Sequence, residues 1–222
     1  MSRSRVVALA ILAFLAAGCA AEVKTGPQEV PKELNGLEAL SCDVFGFALK
    51  VDLEGLESAS RRLAEQWSSV REIVIDDGAS PKDVAGTDGA IARLGRVLEG
   101  RVERVPLARA ANAVSLHLDE LFGLYRPVVP AGMLALDFLG RELLLDGIQA
   151  DFTSAAGHTD DLAATWGGLR DRVVGAGGAS AAELFDGRVA ELRGAVAKRD
   201  GEATGRIARQ VVEEIDILKA VF

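Results

Sequence analysis

His117 stands where a side chain can do chemistry inside a helical protein. Ala110, Ala113, Val114, His117, Leu121 and Leu124 recur at helical spacing, so an imidazole falls in the middle of an apolar stripe. A second stripe, Ile207, Val211, Glu214, Leu218 and Val221, carries Glu214 at its middle. If the two stripes face each other, His117 and Glu214 meet in the core, where helical bundles build metal and cofactor sites. Glu120, one turn beyond His117, adds a carboxylate. Such a set would take a transition metal ion. The competing expectation is a core histidine satisfied by a carboxylate.

Asp137 and Arg141 form a second constellation, spaced i, i+4 on a stripe with Leu134, Leu144, Leu145 and Ile148. Buried there, they either bind a polar ligand or form a structural ion pair. Asp43 and Asp137 also read as first-turn residues, where carboxylates suit the helix dipole. His158 and Asp161 are a sparse surface pair for a metal, and Thr159 or Asp160 as a helix cap explains the same stretch. Cys42 lies among Leu40, Val44 and Phe45, with no basic neighbour before Lys50, and reads as a buried, inert thiol. No Gly-x-Ser-x-Gly elbow, Cys-x-x-Cys-His or cysteine cluster occurs, and Gly175–Gly178 is followed by no Gly-Lys-Ser/Thr. The catalytic inventory is thin, and a non-enzymatic binding protein is the leading expectation.

The chain starts with Arg3 and Arg5, then an apolar run Val6–Ala17, then Gly18-Cys19. That order is a secretory signal, too short to span a bilayer. Ala16-Ala17-Gly18-Cys19 resembles the lipobox of bacterial lipoproteins, with Ala16 where leucine is commoner. The resemblance implies removal of residues 1–18 and a diacylglycerol thioether on Cys19. The membrane is then a partner through the acyl anchor. The body lies in the cell envelope, facing the periplasm or the exterior. Cys42 is left without an intrachain disulfide partner.

Elements must carry these groups. The 222 residues are 49% hydrophobic and 26% charged, which suits a globular fold, and only 5% aromatic, which suits closely packed helices. Net charge is −8, so phosphate backbones are repelled and nucleic acid is excluded as a partner. Residues 19–36 hold Gly26, Pro27 and Pro31 and read as the lipidated cysteine with a tether. From Leu37 the pattern is helical and strand signals are scarce.

Four segments recur in order. Cys42–Gly46 matches Leu136–Gly140, and Leu63–Glu72 matches Leu162–Asp171 with Trp67 on Trp166. Gly89–Leu94 matches Gly187–Leu192, and Leu118–Leu121 matches Ile215–Leu218. The expected architecture is an all-α helical bundle of two tandem repeated halves, 37–126 and 127–222, with a pseudo-two-fold relation. In the first half one long stretch runs to about Ile75, Ser80 caps the next element, and a hairpin Asp88–Glu99 and Leu107–Tyr125 turns near Pro106. In the second half the long stretch is Gly132–Val174, broken at Gly157. Ser180 and Glu183 have capping-box spacing before a hairpin that turns at Asp200-Gly201.

Ser115-Leu116-His117-Leu118-Asp119-Glu120 resembles the Gly-x-His-x-x-Glu motif of imelysin-like proteins, with Ser115 in the glycine's place. That family is exported, often lipid-anchored, all-helical and duplicated, and it is tied to iron uptake. The resemblance extends to His117 and Glu120. It implies, as the alternative to a partner-binding envelope protein, an iron-associated metal site at His117.

Overall fold

The computed structural model describes residues 29–100 and 103–222. The protein is all-α, with eight helices and no strand among the described residues. They are α1 (Lys32–Lys50), α2 (Leu53–Asp76), α3 (Pro81–Glu99) and α4 (Arg104–Phe122), then α5 (Gly132–Gln149), α6 (Phe152–Gly175), α7 (Ala179–Ala197) and α8 (Gly201–Lys219). The signal segment and Cys19 lie outside the described residues.

Polar caps set four of the eight starts. Ser80 Oγ accepts from the Asp83 amide at 3.2 Å, ahead of Pro81, which has no N–H to satisfy. Asp52, Asp151 and Asp200 accept from Gly55, Ser154 and Ala203 amides at 3.1, 3.2 and 2.9 Å. α1 and α5 both end on a residue in the left-handed region, Val51 (φ 58°) and Ala150 (φ 53°). That conformation turns the chain at once into the next cap.

Several boundaries differ from those read along the sequence. α1 begins at Lys32 and passes through Gly36, inside the stretch expected to be a tether. The stretch expected to reach Ile75 unbroken is cut at Val51-Asp52. α3 starts at its cap rather than at Asp88. Pro106 lies in the first turn of α4, where a missing N–H costs no helical bond. In the second half the break is at Ala150-Asp151, and Gly157 is inside α6. Ser180 sits inside α7, whose N-cap is Gly178 without a side-chain bond.

Helix α1 packs on α2 and α4, and α3 on α4. In the same pattern α5 packs on α6 and α8, and α7 on α8. α4 against α5 joins the two sets. The α5–α8 contact is tight because two glycines meet. A Cβ on Gly147 would stand 2.5 Å from the Gly205 amide nitrogen. Each set contains the same three-residue link. Trp67 Nε1 donates to Asp88 at 2.7 Å, and Trp166 Nε1 to Asp186 at 2.7 Å. Arg71 and Arg170 bind those same carboxylates at 3.3 and 2.8 Å.

Counted from the caps Asp52 and Asp151, Glu38 rather than Asp43 holds the place of Asp137. Cys42 holds that of Arg141. Neither Asp43 nor Asp137 is a first-turn residue: each sits well inside its helix.

Candidate functional site

α5 is apolar nearly all round, as a helix must be when neighbours cover every face. α4, α6 and α8 do so, and the polar residues of α5 are buried with the rest. Asp137 and Arg141, 3% and 6% exposed, therefore need partners from other helices. Asp137 takes Lys219 of α8, which lies close enough for a strong ion pair. Glu38 of α1 is 4.0 Å from the same ammonium. Arg141 donates to Ser115 Oγ of α4 at 3.2 Å and to Cys42 Sγ of α1 at 3.2 Å. Its guanidinium also stacks over Phe45 at 5.1 Å. Ser41 and Ser115 hydroxyls close the row at 3.2 Å.

A polar seam thus runs between the two helix sets, built from α1, α4, α5 and α8. The expected Asp137–Arg141 pair is not made: among the described residues no carboxylate lies within 4.0 Å of Arg141. Burial pushes the Asp137 carboxyl up, against the pull of Lys219 and Arg141. Burial alone would lower Lys219, yet Asp137, together with Glu38 and Asp216, outweighs it and raises the ammonium's pKa. Cys42 is half-buried, and its thiol is raised by burial although Arg141 opposes the shift. The protonated thiol is a poor nucleophile. Its basic neighbour comes from another helix, which local sequence could not reveal.

The seam opens at both ends. At one end a cleft of about 560 Å³ is walled by the α4–α5 connection Arg126–Ala131 and by Glu38 and Lys219. At the other, a groove of about 490 Å³ lies over Phe45, Arg141 and Leu144.

Beside the seam is a charge cluster that sequence reasoning missed. Arg109 of α4 binds Glu142 and, at 2.6 Å, Asp146 of α5. Asn112 donates to Glu142 at 2.9 Å and to the Phe138 carbonyl at 3.0 Å. His158 of α6 meets Asp146 at 2.7 Å, not Asp161, which is exposed. The Asp146 hydrogen bond raises the His158 pKa despite burial. Two acids one turn apart in so apolar a helix were the available signal.

His117 lies over Gly86 of α3, where a Cβ would come within 2.6 Å of its Nδ1. Its Nδ1 is 3.4 Å from Glu120. Glu214 is engaged elsewhere, by Arg188 of α7 at 2.8 Å. Each residue faces the third helix of its own set, so no hydrogen bond or ion pair joins His117 to Glu214. Among the described residues no three His, Cys, Asp or Glu side chains gather as a metal site would need.

Next to His117, Asp119 is held at a pKa of about 6 by burial, with Glu120 adding repulsion. It sits in the last turn of α4, where the dipole also disfavours a carboxylate. A carboxyl with a raised folded pKa costs stability when ionised, and that cost disappears as pH falls through 6. Asp119→Asn is expected to stabilise the fold by about 1 kcal/mol near pH 8 after solvent screening. Melting curves at pH 5 and 8 check this: the gain is largest at pH 8.

Comparison with family models, curated proteins and solved structures gave no match. The class defined by fold and site is an all-α protein with a buried polar seam, open at both ends, where two helix sets join.

Proposed function

We propose that this is a non-catalytic binding protein, lipid-anchored in the cell envelope, which takes its ligand along the seam. The anchor follows from the lipobox-like Ala16–Cys19 and the signal that precedes it. The observation that carries the binding assignment is the buried Asp137 and Arg141 of α5, met by Lys219, Ser115 and Cys42 from three other helices, beneath two clefts. Buried ionic groups add little to stability compared with apolar packing. Concave sites with a few fixed polar groups are where ligands bind. The two helix sets are read as copies of one unit, and the seam as their junction. Burial raises the Cys42 thiol, which disfavours its thiolate.

The metal-binding alternative places only His117 and Glu120 together, with Glu214 held by Arg188. Two side chains at i, i+3 leave a transition metal short of ligands.

Expression of the full chain in a bacterial host, followed by fractionation and intact mass, tests the anchor. The expected product is in the membrane fraction, begins at Cys19 and carries acyl chains. Cys19→Ala loses the acyl mass. A soluble cytoplasmic product that retains residues 1–18 overturns the assignment.

A further inference from the structure

The groove at the α1 C-terminal end of the seam has a lining unlike the rest of this acidic protein. Four cations border it, Lys50, Arg104, Arg141 and Arg209, and no carboxylate does. Among the described residues none of the four has a carboxylate within 4.0 Å. The chain carries a net charge of −8, so a basic patch without acid partners stands out. Between the cations the walls are apolar: Phe45, Leu49, Leu144, Ile148 and Val212. Ile148 is 46% exposed, an apolar side chain left facing the opening.

Two further features favour an anion here. Arg104 is the first residue of α4, where the helix dipole disfavours a cation, and the first turn contains no acid. Arg141, 6% exposed, hydrogen-bonds only a hydroxyl and a thiol, and the carboxylates of Asp137 and Glu38 act on it from beyond 4.0 Å. A buried guanidinium with no carboxylate in direct contact is a costly arrangement that an anionic ligand relieves.

From this charge complementarity we infer that the groove is a binding site for a single-chain amphipathic carboxylate, its head among Lys50, Arg104 and Arg209 and its hydrocarbon tail along Phe45, Leu144 and Ile148. The volume of about 490 Å³ falls in the range of small-molecule sites. The apolar walls argue against a purely polar anion, which would gain nothing from them. This inference rests on the seam as the binding region, but not on the anchor, which the fractionation experiment tests separately.

Residues 20–222 contain every helix and core residue described above, and this chain suits calorimetric titration with dodecanoate. The expected result is saturable one-to-one binding of dodecanoate below its micellar concentration. Acetate should give no measurable heat, and dodecyltrimethylammonium should bind at least tenfold more weakly. Arg104→Glu with Arg209→Glu, both exposed positions, should weaken dodecanoate at least tenfold with an unchanged melting temperature. Ile148→Asp should weaken it too, which tests the tail. Absence of dodecanoate binding, equal binding of the cationic amphiphile, or unchanged affinity in the double variant overturns the inference. Failure of these results with a lipidated, membrane-bound full chain leaves the anchor standing and removes this ligand.

Discussion

Replacing Arg109 with alanine lowers folding stability by about 3–5 kcal/mol, the cost of leaving buried carboxylates unpaired. Asp146 is fully buried at its side chain and Glu142 nearly so, and Arg109 bridges both. His158 and Asn112 remain after the substitution, but each touches only one of the two acids. Urea unfolding at pH 7.5 measures the loss as a drop in midpoint with unchanged slope. Adding Glu142→Gln and Asp146→Asn recovers most of it, because neutral amides do not need the guanidinium. A loss below about 1 kcal/mol would place the cluster among ordinary surface ion pairs.

Lys219→Met has a related effect at the seam, with a pH signature. Asp137, 3% exposed, loses the ammonium that opposes its burial. Expected destabilisation is about 2–4 kcal/mol at pH 7.5, since Arg141 still exerts some attraction. Asp137 already has a raised pKa, and the variant raises it further. A carboxyl with a higher pKa in the folded state takes up a proton on folding, so the variant regains stability as pH falls. Melting curves from pH 8 to 5 should therefore converge with those of the parent protein. Asp137→Asn in the same chain should flatten the difference at all pH values. Parallel curves would show that Lys219 acts through packing of its stem alone.

The helical class was legible because helical stripes and scarce strand signals leave no other choice. Ser80-Pro81 announced one helix start through capping chemistry, and the turn read at Asp200-Gly201 is where α7 gives way to α8. Other boundaries were not legible. Val51-Asp52 ends a helix through a left-handed β-branched residue, for which no glycine or proline gives warning. Ser180 has capping spacing but lies one position inside α7.

The site residues follow the same division. Asp137 and Arg141 could be singled out as charges on an apolar stripe. Their partners Lys219, Ser115 and Cys42 lie on three other helices, so tertiary packing alone brings them together. Stripe membership did not show which neighbour a stripe faces. His117 and Glu214 occupy similar places, and each turns to its own set's third helix. Lys50, Arg104 and Arg209 look like ordinary solvated charges in the sequence. Only their convergence on one groove without an acid distinguishes them.

Hydrogen–deuterium exchange of residues 20–222 with and without saturating dodecanoate tests most directly whether the seam receives a ligand. The expected result is slowed exchange at the C-terminal ends of α1 and α5, the start of α4 and the middle of α8. The α2–α3 and α6–α7 pairs should remain unchanged. Protection confined to those distant pairs, or none at all under saturating conditions, would contradict a ligand site at the junction of the two helix sets.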